Sequence, residues 1–209
     1  MAKVVALQYN LLMRCMVCGT ELAARTGAQT CSTRCRVRLH RAKLPPKVMT
    51  DRDRWVVHRA DKAPRQLNGS FASSIDSATW SSFADASAVA AVNPVGLGFV
   101  LNGDGIACVD LDHCLVDGVL EPWAESLLAS VPRTFVEVSP SGTGLHVWGL
   151  GVVGAGRRRG NVEMYDRGRY ITVTGRVWDS APRRLLNIQS FIDDVVRGFD
   201  RVDSAQIVA

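Results

Sequence analysis

Gly105-Ile106-Ala107-Cys108-Val109-Asp110-Leu111-Asp112 is the stretch whose reading decides the rest. It is a short apolar strand that ends in two carboxylates. Side chains on a strand alternate faces, so residues i and i+2 point the same way with Cα atoms roughly 6.6 Å apart. Asp110 and Asp112 are therefore expected on one face, with Val109 and Leu111 on the other. Two adjacent carboxylates repel unless one is protonated or a divalent cation neutralises them. Taken alone, the pair reads first as a strand running into a turn, where Asp is common.

On the upstream side, Arg54-Trp55-Val56-Val57-His58-Arg59 alternates as a strand, and Lys62 and Arg65 sit in the loop after it. Both are solvated loop charges or contacts to a nucleotide. Ser77-Ala78-Thr79-Trp80 reads as the cap of a helix through Ser81 to Ala91, with Trp55 and Trp80 as core residues. Gly96 to Leu101 is a strand, and Asn102-Gly103-Asp104-Gly105 between two apolar runs is a hairpin signal.

On the downstream side, Glu121-Pro122-Trp123 opens a helix to about Ser130, with proline at its start. Thr134 to Val138 and Leu145 to Leu150 are strands. Ser139-Pro140-Ser141-Gly142-Thr143-Gly144 joins them, a loop too small and glycine-rich to pack a core, whose backbone N–H groups can face an anion. His146 shares a strand face with Trp148; it is a satisfied core residue or, after such a loop, a donor to a triphosphate. Gly154 to Gly160 places Arg157, Arg158 and Arg159 in a flexible loop, solvated or touching template phosphate. Asn161 to Tyr165 is a strand that sets Glu163 among apolar neighbours, where an unpaired carboxylate is expensive. Joining the two aspartates around metal would relieve it. Asp166, in the turn Asp166-Arg167-Gly168, reads as a turn former. Arg169 to Gly175 is the returning strand, and Ala181 to Phe199 the closing helix. Cys108 and Cys114 lack partners at zinc spacing and read as small buried apolar residues.

Near the start of the chain, Cys15, Cys18, Cys31 and Cys35 give C-x2-C-x12-C-x3-C, followed by the basic helical run Arg36 to Lys43. Four thiolates in two close pairs suit tetrahedral zinc, and Gly19 follows the first pair where a tight knuckle needs an unhindered backbone. The metal supplies the folding energy that about 25 residues cannot obtain from a core. His40 is a surface or phosphate-contacting residue beside a complete cysteine set. The run C-x2-C-G, C-S-x2-C-R and H-R resembles the small zinc ribbons of phage and actinobacterial DNA-handling proteins. Leu44-Pro45-Pro46-Lys47 breaks the helix. The expected organisation is a zinc ribbon with basic helix over 12–43, a linker over 44–50, a larger domain over 51–200 and a tail over 201–209.

Charge follows the same division. From Arg14 to Arg65 there are 13 Lys+Arg against 4 Asp+Glu, a balance of +9. From Gln66 onward the count is 11 against 16, or −5, and Lys3 completes the net +5. A basic arm beside a mildly acidic body suggests a polyanion partner and a cation-binding core. No apolar run spans a bilayer and no secretory cleavage site follows the first residues, so the expected compartment is the cytoplasm of a bacterial or phage-infected cell, with no membrane partner. A G-x4-G-K-[ST] loop and a nucleophile elbow are both missing, which argues against a P-loop ATPase and a serine hydrolase.

In this order the motifs Gly98-Phe99-Val100-Leu101, Val109-Asp110-Leu111-Asp112, Ser139 to His146, Val162-Glu163-Met164-Tyr165 and Gly168 to Gly175 resemble the bifunctional primase/polymerase domain of phages and plasmids, in the archaeo-eukaryotic primase superfamily. The resemblance spans about Asp51 to Phe199. It implies an α+β fold with an RRM-like antiparallel palm flanked by helices, here preceded by a four-cysteine zinc ribbon. It implies template-directed DNA primase/polymerase activity by a two-metal mechanism, with Asp110, Asp112 and Glu163 holding Mg²⁺ or Mn²⁺, Asp166 being the other choice for the third acid. His146 would contact the incoming nucleotide's phosphates, beside Ser141, Gly142 and Thr143, with Lys62 and Arg169 as further nucleotide contacts. Relatives often have a hydroxyl residue two before the histidine; Gly144 stands there. Single-stranded DNA template and nucleoside triphosphates would be the partners, with a replicative helicase on another chain. The same residues also allow a metal-dependent nuclease, or a non-catalytic zinc-ribbon DNA binder.

Overall fold

The structure, a computed structural model, describes residues 14–15, 17–22, 28–41 and 44–207. Expectations for Met1 to Leu12, Lys43 and the last two residues lie outside it, as do those for the side chains of Arg38, His40 and Arg41. The chain divides between Leu44 and Pro45 into two compact units. The first carries helix α1 (Thr33–Arg41).

The second unit begins with a single helical turn, α2 (Lys47–Thr50), and strands β1 (Trp55–His58) and β2 (Pro64–Arg65). Helix α3 (Phe83–Val92) then leads to β3 (Gly96–Asn102) and β4 (Ile106–Leu111). A small hairpin, β5 (Leu115–Val116) and β6 (Val119–Leu120), precedes α4 (Pro122–Leu128). Strands β7 (Phe135–Val138), β8 (Leu145–Leu150), β9 (Arg157–Arg159), β10 (Val162–Tyr165) and β11 (Arg167–Val173) follow, and α5 (Gln189–Ile207) closes the chain.

Instead of one sheet, the larger strands form two antiparallel ones: β11-β3-β1-β2 and β7-β8-β4-β10-β9. Strand alternation explains how they stack. The odd residues of β4 (Ala107, Val109, Leu111) join Val147 of β8, Ala124 of α4 and Phe191 of α5 in one core. The even residues Ile106 and Cys108 join Phe135 and Trp148 in a second core, shared with Trp55 and Phe99 of the other sheet and Ala86 of α3. Helices therefore cover one face of the five-stranded sheet, and the four-stranded sheet packs on the other. Phe99 ties the layers, with edge contacts to Trp55 at 5.2 Å and Trp148 at 6.0 Å between centroids.

Several local expectations change. Asn102 to Gly105 does not close a hairpin: β3 and β4 belong to different sheets, and Gly103 and Gly105 take φ of 87° and 92° to turn the chain from one to the other. The same crossing recurs between β10 and β11, and the two are pinned together where Gly103 N–H donates to the Asp166 carbonyl at 2.8 Å. The helix expected from Ser77 starts later. Asp76 caps only a 3-10 turn over Ser77–Thr79, whereas Ser82 and Asp85 form a reciprocal cap for α3 at 3.1 and 2.7 Å. Trp55 is fully buried, but Trp80 is half-buried and braces its own loop by donating to the Ser73 carbonyl at 2.6 Å. The arginine triplet is strand β9 at the sheet edge, not a loop, and Pro64–Arg65 is an edge strand on β1. Residues 181–188 are irregular, with Leu186 and Ile188 hydrogen-bonded to Leu150, so the last helix starts at Gln189, where Asn187 Oδ1 accepts its N–H at 2.8 Å, and continues through the expected tail to Ile207. No helix among the described residues is long and apolar enough to cross a membrane.

Replacing Phe99 by Ala removes the side chain that joins the sheets. We expect a loss of about 3–5 kcal/mol, a fall in Tm of roughly 6–20 °C for a domain of this size, measured by thermal unfolding monitored by circular dichroism.

Candidate active site

Antiparallel register sets one residue from each strand of the larger sheet in a single row: Glu137, His146, Asp110, Glu163 and Arg158. All belong to the parity that faces the second sheet. Asp112 lies just past β4, where its N–H donates to the Asn161 carbonyl at 2.8 Å and prolongs the strand by one pairing. It thereby keeps the face of Asp110.

Above this row is a cleft of about 480 Å³. Asp110, Asp112, Glu163 and His146 form one wall with Ser139 and Ser141; Lys62, Arg169 and Tyr170 belong to the other. Lys62 is held with φ of 54°, a costly conformation for a side-chain-bearing residue, and the Tyr170 hydroxyl donates to its carbonyl. Among the expected nucleotide contacts, Gly142 and Thr143 do not line the cleft. Thr143 instead supports Ser141, hydroxyl to hydroxyl at 3.0 Å. Gly144 is a glycine because a Cβ there would meet the Leu111 carbonyl at 2.8 Å and Ser139 Oγ at 2.9 Å. The hydroxyl missing at position 144 has a counterpart in space at Ser139, which accepts the Gly144 N–H at 3.1 Å.

The two carboxylates at the row's centre are in unlike states. Asp110 Oδ1 is buried with no hydrogen-bond partner, and His146 Nε2 stands 3.8 Å from it. Burial pushes the Asp110 carboxyl up; His146 opposes this, and Asp112 and Glu163 add to it. Burial disfavours the charged form of His146, but its contact with Glu137 and the charge of Asp110 outweigh that and raise its pKa above the ordinary value. Glu163 is already answered: Arg158 Nε lies at 3.1 Å, Arg169 Nη2 at 3.5 Å, and the Tyr165 hydroxyl donates at 2.8 Å. Asp166 is buried away from the cleft, bound by Arg167 through two contacts of 3.1 Å. Of the two candidates for a third acid, Glu163 is the one in the cleft.

An orphaned carboxylate oxygen beside two further acids is a donor set that suits a hard divalent cation. The acids are not drawn into a closed cage, however. Among the described residues, only Cys15, Cys18, Cys31 and Cys35 bring three or more such ligand atoms within 4.8 Å of one another.

That cysteine set fits zinc. Sγ separations are 3.5 Å for Cys18–Cys31, 3.6 Å for Cys31–Cys35 and 3.8 Å for Cys35–Cys18. A tetrahedron with Zn–S bonds of about 2.3 Å has edges of about 3.8 Å. The thiols split electrically. Burial raises Cys15, but backbone N–H groups of Val17, Cys18 and Cys31 bring it down to about 6, while Cys31, flanked by Cys18 and Cys35, is pushed up to about 12. Thiolates this close ionise together only around a cation.

No family model matches the sequence. Over 137 residues it is 36% identical to a protein of Nitratiruptor phage NrS-1 named DNA primase-polymerase. This chain is similar to a phage primase-polymerase. The match takes in 60% of this chain and 19% of that primase-polymerase, so the chain spans about a fifth of the length of its relative. Missed in the sequence was Glu137, whose partners lie far along the chain and which no motif marks.

The shifts at Asp110 and His146 have one sign. Both groups bind their proton more tightly folded than unfolded, so their contribution is present at pH below the unfolded values and is lost as pH rises through the folded ones. Asp110→Asn should therefore raise the Tm of metal-free protein by roughly 2–4 °C near pH 8, with the gain vanishing in acid. Millimolar Mn²⁺ should raise the Tm of the wild type and not of this variant. Elemental analysis should find one zinc per chain, lost in Cys31→Ala.

Proposed function

We propose that this chain carries out template-directed nucleotidyl transfer, as a DNA primase or polymerase. The observation that carries the reading is the row Glu163–Asp110–His146 on one wall of a cleft whose other wall presents Lys62 and Arg169. The name of the phage relative supports it.

Asp110 and Asp112 are the first ligands for divalent cation, with Glu163 completing the set when its arginines let it turn inward. When bound, a pair of divalent ions supplies Lewis-acid stabilisation of the attacking and leaving oxygens in phosphoryl transfer. The chain's own contribution is position and charge. His146, with protons on both ring nitrogens as its raised pKa favours, donates from Nε2 to a phosphate oxygen from the floor of the cleft, and the Ser141 hydroxyl, steadied by Thr143, offers a second donor. Lys62 and Arg169 meet the triphosphate from the opposite wall. Arg158 and Arg169, more than half exposed, neutralise Glu163 until nucleotide competes for them. The four-cysteine unit and its basic helix hold single-stranded template through phosphate contacts that weaken as salt rises, and duplex unwinding is left to a helicase elsewhere.

On primed single-stranded DNA with Mg²⁺ or Mn²⁺, the protein should extend the primer when nucleoside triphosphates are added. Asp112→Asn should lower the rate by about 10²–10³-fold or more. Shortening of the labelled strand without nucleotides would replace the reading with a nuclease. Extension by Asp112→Asn at the wild-type rate would end it.

A further inference from the structure

Glu137 is fully buried on β7, a carboxylate in the midst of the core. Its two oxygens face two different parts of the domain. Oε1 accepts the Trp148 indole N–H at 3.1 Å and lies 3.3 Å from His146 Nδ1. Oε2 accepts the backbone N–H groups of Thr174 at 3.0 Å and Gly175 at 2.8 Å. Such a group is costly to bury, and an apolar side chain of like volume would leave the Trp148, Thr174 and Gly175 N–H groups without an acceptor.

The contacts have consequences for the histidine. Oε1 already accepts from Trp148, so His146 Nδ1 meets an acceptor and must carry a hydrogen. The ring is then turned so that Nε2 faces Asp110 and the cleft. A carboxylate behind a functional imidazole sets its tautomer and orientation in this way. Thr174 and Gly175 directly follow β11, whose residues 168–172 line the far wall. One carboxylate thus anchors both walls.

We propose that Glu137 is a positioning residue: it keeps a hydrogen on His146 Nδ1 and turns Nε2 toward the cleft, and it ties the Arg169 strand to the Asp110 sheet. Its part in turnover rests on the nucleotidyl-transfer reading; its part in geometry does not.

The test is long-range ¹H–¹⁵N NMR of the histidine rings in the full chain, at alkaline pH where the imidazole is neutral, with His146 assigned by its absence in His146→Asn. The wild type should show Nδ1–H. In Glu137→Gln the amide oxygen is needed by the Thr174 and Gly175 N–H groups, two donors against the single one from Trp148, which turns the NH₂ toward Nδ1 at the cost of the Trp148 bond, so His146 should switch to Nε2–H. An Nε2–H or averaging ring in the wild type, or an unchanged tautomer in folded Glu137→Gln, overturns the proposal. If that variant fails to fold, the wild-type tautomer decides. In primer extension, Glu137→Gln should cost about 10-fold or more alone but less than about 3-fold in a His146→Asn background. Multiplying costs would mean that it does not act through His146. Absence of extension by the wild type would sink the polymerase reading and leave the tautomer result standing.

Discussion

The antiparallel register of β8 and β10 against β4 is the constraint on which the site depends. It sets His146 and Glu163 on either side of Asp110 in one row. A slip of one residue on any of these strands would turn its polar member into the helix-packed core and expose an apolar one. What prevents the slip is the packing on both faces: Val109, Val147 and Met164 against α4 and α5, and Cys108 and Trp148 against the second sheet. Catalytic placement and core formation are the same event, because the strands that carry the polar row carry the core on the residues between.

The row gathers charge that the fold does not need. Asp110 is left with an unpartnered oxygen, and its neighbours Asp112 and Glu163 make ionisation harder. Across the sheet, the tension is released in opposite ways at the two ends. Glu163 is satisfied by exposed arginines that can leave, whereas Glu137 is satisfied by backbone N–H groups that cannot. The outer acid can therefore change partners, and the inner one can only hold position. A site that exchanges ligands at one end and is rigid at the other suits chemistry in which substrate arrives with its own negative charge.

How much of this was legible in the sequence varied with the range of the interaction. The period-2 pattern of 106–112 gave the shared face of Asp110 and Asp112, and the apolar setting of Glu163 marked it as a carboxylate needing a partner. The C-x2-C-x12-C-x3-C spacing carried the cysteine cluster, because local chain geometry almost suffices to close it. Sheet membership was not legible: Asn102 to Gly105 has the residues of a hairpin, and the same glycines serve equally to carry the chain between sheets. The arginine triplet has no apolar alternation, so nothing announced that it pairs with β10. Glu137 was invisible for a related reason. Its donors come from residues 9 to 38 positions away, and only the assembled fold brings them to one carboxylate.

The most direct test of the account is where a divalent ion goes. In crystals soaked with Mn²⁺, anomalous scattering should place an ion about 2.2 Å from a carboxylate oxygen of both Asp110 and Asp112, with Glu163 swung off at least one arginine. Manganese bound elsewhere, with Asp110 and Glu163 facing different cavities, would contradict it.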